Sequence, residues 1–192
     1  MGRISEPMSA MEIPTPQQSL FSRINEFTKS IEILLDAGHS LSALIVLYTA
    51  VDIFGSTLRP ETEPDTAGCY FKKWVDDYMI AGSQLPFVSD DLWGARCALL
   101  HTHTTSSKLS RAGKARELHY YRSYGRPVPP AMQTALGSLS PKGKQFLDLD
   151  AMHGAFVDGT RRFIVAIQRD PALEKRVLHH SRMLLGSWSS PA

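Results

Sequence analysis

The chain has 192 residues, 43% of them apolar and 21% charged, which gives one domain a substantial core and excludes wholesale disorder. Basic and acidic residues number 21 and 19, so the net charge of +2 excludes a histone-like or tail-type nucleic-acid binder. Cys69 and Cys97 are the two cysteines and form no C-x-x-C, which excludes a disulfide scaffold and a Cys-based zinc finger and suits a reducing, cytoplasmic setting.

Residues 1–16 are polar, with Pro7, Pro14 and Pro16. A flexible N-terminal segment is expected there, without the apolar run of a secretory signal. From Gln17, apolar residues at Leu20, Phe21, Ile24, Phe27, Ile31, Leu34 and Leu35 follow helical spacing. Gly38 is the expected C-cap. Ser40 is expected to cap a second helix, Leu41 to Phe54, apolar on most sides and therefore central. Ser42, Thr49 and Asp52 interrupt it, and it is shorter than the ~20 residues of a bilayer span, so no membrane association is expected.

Arg59 to Gly68 reads as a loop and Cys69 to Ile80 as a third helix. Ser89 is expected to cap a fourth, with Asp90 and Asp91 favourably placed in its first turn. Thr102 to Gly113 reads as a loop. Glu117 to Tyr124 reads as a short strand or a helical turn, and 131–139 as a short helix. Ser140-Pro141 starts a new segment. Gln145 to Ile167 and Ala172 to Leu185 read as helices, with a loose tail from Gly186. The expected class is all-α, with few strand patterns.

Charge is uneven along the chain. Residues 1–90 carry 6 basic and 12 acidic side chains, and residues 91–192 carry 15 and 7. Lys108, Arg111, Lys114 and Arg116 fall in a basic run interleaved with Tyr120, Tyr121 and Tyr124, a pattern that can take single-stranded RNA by charge and stacking. A solvated surface loop, or mutual attraction between the two halves, is the plainer alternative.

Dinucleotide, P-loop, zincin and nucleophile-elbow motifs are absent. His101-Thr102-His103 would be a poor metal pair on a helix, because i and i+2 diverge by about 200°. No metal and no cofactor is expected. The stretch from Asp91 to Thr104 instead places Arg96, His101 and His103 late in an apolar helix. Arginine holds a phosphate at any ordinary pH, and histidine exchanges protons near neutrality. On an ideal helix Arg96 lies about 140° from His101 and about 20° from His103. His103 is the same-face partner if the helix continues, and His101 if it frays after Leu100.

Arg96, followed after four residues by His101 or after six by His103, resembles the signature of the HEPN superfamily. The words Leu47-Tyr48-Thr49-Ala50-Val51-Asp52 and Phe71-Lys72-Lys73-Trp74-Val75 are similar to those of small bacterial HEPN-like proteins, as is Ser107 to Tyr121 with Gly113-Lys114-Ala115-Arg116. The resemblance covers about 17–125. It implies an antiparallel helical bundle over 17–125, and the helices read in 126–192 are expected as an extension packed on it. It also implies a homodimer that brings two Arg/His motifs into one cleft.

Many members are metal-independent endoribonucleases of toxin–antitoxin, phage-defence or RNA-processing systems. RNA and an antitoxin or other protein are therefore the implied partners. Arg96 would hold the phosphate, and His101 or His103 would be the general acid/base. Asp52 would orient a histidine or pair with a cation, and Tyr48 would support it or simply pack in the core. Lys108, Arg111, Lys114 and Arg116 would contact the RNA backbone. Cys97 stands directly after Arg96, where active members usually carry a polar residue. The alternative is a non-catalytic protein- or nucleotide-binding module in which the Arg/His pair is structural.

Overall fold

The computed structural model describes residues 15–83, 85–138, 143–182 and 184. Most of the expected N-terminal segment, the Ser140-Pro141 start and the tail from Gly186 lie outside these residues. The described chain is mostly helical, with one small sheet.

Helix α1 spans Pro16–Asp36. The Thr15 side chain accepts from Gln18 N at 3.2 Å, and Gln18 Oε1 accepts from Thr15 N at 2.7 Å, a reciprocal capping box with Pro16 in the first turn. Leu20, Ile24, Ile31 and Leu35 face inward, as their spacing dictates. Gly38, at φ +79°, turns the chain into α2, Ser40–Ser56. The N-cap of α2 is His39 rather than Ser40, without a side-chain cap bond. Helix α2 also runs two residues past Phe54. There Gly55 lets the backbone of α3, Gly68–Trp74, approach so closely that a Cβ would sit 2.8 Å from Tyr70 O. Helix α3 passes into a π-helical stretch, Val75–Ile80.

Helix α4 spans Ser89–Thr102. Ser89 is its first helical residue rather than its cap, and its hydroxyl donates to Asp76 at 2.9 Å. The short α5, Lys108–Arg111, falls inside the expected loop. Strand β1 is Glu117–Tyr121, α6 is Pro130–Ser138 and β2 is Lys144–Asp148. Helix α7, Leu149–Arg169, and α8, Pro171–Ser181, follow.

Strands β1 and β2 pair in parallel, from Glu117 opposite Lys144 to Tyr121 opposite Asp148. Parallel pairing needs a long crossover, which α6 and its flanks supply. Residues 145–148 are therefore strand, a correction to the helix expected from Gln145. Asp148 ends β2 and caps α7, accepting from Asp150 N at 3.1 Å.

Helix α7 belongs to the core itself. The Phe54 ring lies 5.9 Å from those of Phe27 and Trp74, and 6.3 and 6.4 Å from those of Phe156 and Phe163. Phe156 and Phe163 come from α7 and are fully buried, as are Phe54 and Trp74. Burying such side chains contributes about 1.5–3 kcal/mol each, so residues beyond 126 complete the hydrophobic centre. No helix among the described residues is long and apolar enough to cross a membrane.

Candidate functional site

Arg96 stands in the middle of α4, facing α2. Its Nε donates to Asp52 Oδ2 at 2.6 Å, and Nη2 lies 2.5 Å from the same oxygen. Its guanidinium carbon sits 5.1 Å from the centre of the Trp93 ring, one helical turn earlier. Trp93 is seated by Gly68, where a Cβ would fall 2.5 Å from the indole. Two sides of the guanidinium are thus fixed by α2 and by its own helix.

The third side faces His101. Arg96 Nη1 lies 3.2 Å from His101 Nε2. A guanidinium only donates, so Nε2 accepts and the imidazole proton resides on Nδ1. His103 is placed differently. It adopts the left-handed conformation, φ 53° and ψ 35°, and ends α4. Helix α4 does not fray after Leu100 but runs to Thr102, one residue short of His103, and His101, still helical, is the histidine that reaches Arg96.

Asp52 is half-buried. Burial pushes its carboxyl above the ordinary value of 3.8, while the Arg96 hydrogen bond and charge pull it down. Tyr48 is fully buried one turn earlier, and its hydroxyl meets that of Tyr120. Burial raises the Tyr48 hydroxyl well above its ordinary range. It stands in the core rather than against Arg96 or His101.

Two clefts flank the pair. One of about 360 Å³ is lined by Asp52, Ser56, Thr66, Gly68, Trp93 and Arg96. The other, of about 450 Å³, is lined by Cys97, His101, Thr104, Ser107, Lys108 and Arg111, among others. Gly94 allows the second wall to come close, because a Cβ there would lie 3.1 Å from Ala115 and 3.3 Å from Ser107 Oγ. Ser107 caps α5, accepting from Ser110 N at 3.1 Å, and so sets Lys108 and Arg111 on that wall.

The four basic residues expected at RNA separate into three situations. Lys108 and Arg111 line the His101 cleft. Lys114 is exposed and lines neither cleft. The Arg116 guanidinium is engaged by Asp91 at 2.6 and 3.0 Å, by Gln145 at 3.0 Å and by the Pro86 carbonyl at 2.7 Å. Asp91 is almost completely buried and also accepts from the Arg116 and Val88 amides. Despite its burial, these bonds hold its carboxyl below the usual range. Arg116 ties α4 to the sheet.

Trp93 and the hydroxyls of Thr104 and Ser107 were not among the expected site residues. The three-residue spacing of Trp93 and Arg96 on one helix is the signal that finds the first. Among the described residues, no group of three or more His, Cys, Asp or Glu side chains is placed to hold a metal ion. No family model, curated protein or solved structure matches the chain.

Proposed function

We propose that the protein is a HEPN-like helical bundle acting as a metal-independent endoribonuclease of a toxin–antitoxin or phage-defence system, working as a homodimer in the cytoplasm. The observation that carries this reading is the 3.2 Å contact between Arg96 and His101 at the edge of a cleft walled by Lys108 and Arg111. Arg96 holds and neutralises the scissile phosphate. When the phosphate draws Arg96 Nη1 away from His101 Nε2, Nε2 takes the proton of the 2′-hydroxyl, O2′ attacks the neighbouring phosphorus, the P–O5′ bond breaks, and O5′ leaves with a proton taken from water. The products are a 2′,3′-cyclic phosphate and a 5′-hydroxyl. Asp52 holds Arg96 in register, and Lys108 and Arg111 bind the flanking backbone.

The test is incubation of a mixed RNA pool with the purified protein in EDTA, beside Arg96→Ala and His101→Ala, with folding checked by circular dichroism. The expected result is cleavage by the wild type alone, leaving cyclic phosphate ends. Absence of cleavage by all three folded proteins overturns the nuclease reading.

One observation favours a second reading. Arg96 directs two of its nitrogens to Asp52 and lies on Trp93, as a purely structural arginine would. In that reading the module binds RNA, a nucleotide or a protein partner without cutting. RNA retention without cleavage, measured by gel shift, is its signature.

A further inference from the structure

On the far side of the α4 C-terminus lies a separate cavity of about 170 Å³. Leu44, Ala95, Leu99 and Leu118 form its buried apolar floor, and Tyr120, whose hydroxyl is taken up by Tyr48, adds a ring to the wall. Ala95 leaves the space that a longer side chain would fill. The mouth is different in character. His103, Thr104 and Thr105 stand there, beside the half-exposed Leu41. The left-handed turn at His103 carries the chain from one side of α4 to the other. Thr104 consequently lines both this cavity and the cleft of His101, Lys108 and Arg111.

An aliphatic cavity of ~150 Å³ holds one six-membered ring. A dry floor with a few polar groups at the rim is the usual form of a small-molecule subsite. The Thr105 hydroxyl and the His103 imidazole at the mouth match the carbonyl and amino edge of a heterocycle, while the Thr104 hydroxyl is held by Thr102 and the Ser106 carbonyl. The basic cleft reached past Thr104 matches a phosphate.

We propose that this cavity is a pyrimidine subsite, taking the base of a nucleotide whose phosphate lies in the adjoining cleft of Lys108 and Arg111. The space admits one ring and excludes the second ring of a purine. The assignment of the phosphate to that cleft rests on the ribonuclease reading, whereas the base cavity stands on its own shape.

The experiment is calorimetric titration of the full chain with uridine, cytidine and adenosine monophosphates, with ribose phosphate, and with free uridine. The expected result is that both pyrimidine nucleotides bind about tenfold or more tighter than ribose phosphate and adenosine monophosphate. Leu41→Trp, which places an indole over the mouth, brings the pyrimidine nucleotides down to the affinity of ribose phosphate. Thr105→Trp closes the mouth from the exposed loop side and gives the same result should the first variant misfold.

Equal affinity for all the phosphates overturns the proposal, as does adenosine monophosphate binding as tightly as the pyrimidines, or no binding at all. Free uridine binding while ribose phosphate does not bind keeps the base cavity and overturns the phosphate assignment alone.

Discussion

Arg96 on α4 grips Asp52 on α2 through two nitrogens directed at one carboxylate oxygen, at 2.6 and 2.5 Å, with the two side chains 20% and 24% exposed. The pair links two helices 44 residues apart in sequence. Burial has already raised the Asp52 carboxyl, so removing its cation leaves a poorly solvated charge. Arg96→Ala is expected to cost about 1–3 kcal/mol, short of the 3–5 of a fully buried pair. Asp52→Asn keeps an acceptor and costs less. A double-mutant cycle from urea midpoints at unchanged m-value measures the coupling. A coupling near zero would make the pair an ornament of the surface and leave Arg96 free for a ligand.

His101 and His103 are two residues apart but line different spaces, one beside Arg96 and the other at the mouth of the apolar cavity. Under the ribonuclease reading, His101→Ala loses about 10²–10⁴-fold in rate, the usual worth of a general acid/base. His103→Ala weakens RNA binding, because its imidazole stands at the mouth of the base cavity, and spares the chemical step at saturating protein. Single-turnover cleavage of one defined RNA by both variants checks this. Equal losses would contradict the division of roles between them.

The helices were legible because their periodicity is local. Leu20, Ile24, Ile31 and Leu35 repeat at helical spacing and are all buried. Strand β2 was not legible, because Phe146 and Leu149 also fit the register of the helix that follows, and its partner β1 lies across a long crossover. Which histidine meets Arg96 was also illegible, since that depends on the left-handed backbone at His103, a conformation rare for a residue other than glycine. The same holds for Arg116. Its basic neighbours make it look like part of an RNA-binding run, while the acid that claims it, Asp91, is 25 residues away.

That claim makes Asp91 a stability determinant. Its carboxyl accepts from two amides and the Arg116 guanidinium while almost fully buried. Asp91→Ala is expected to cost about 3–5 kcal/mol, because it strands Arg116 and two amides. Despite their burial, the Arg116 bonds hold Asp91, and the Arg122 guanidinium at 2.8 Å and the Tyr124 amide at 2.7 Å hold Asp150, below the ordinary 3.8. The unfolded chain therefore binds more protons as the pH falls past that value. Their contribution is complete above 3.8 and is lost as the pH falls through their folded-state values. Thermal midpoints between pH 5 and pH 2 should drop in the wild type, with Asp52, whose value burial raises, opposing the fall, and should drop less in Asp150→Asn, which lacks one of the protonation steps that drive it.

His153 on α7 gives a second pH effect in a higher window. Its Nε2 is buried without a hydrogen-bond partner among the described residues, and burial lowers its affinity for a proton below the ordinary 6.5. Glu32, Asp150 and Asp36 pull the other way, and Arg122 reinforces burial. The folded state thus favours the neutral ring more than the unfolded chain does. Stability from this group is complete above 6.5 and declines as the pH falls from 6.5 toward the folded-state value. Leucine at this position removes both the titration and the orphaned nitrogen, whose desolvation costs about 1–3 kcal/mol. His153→Leu is therefore expected to raise the thermal midpoint at pH 6 more than at pH 8, and to flatten the stability profile between them. His180, whose value burial also lowers, keeps a residual slope in that variant. A profile unchanged by His153→Leu would contradict the titration assigned to His153.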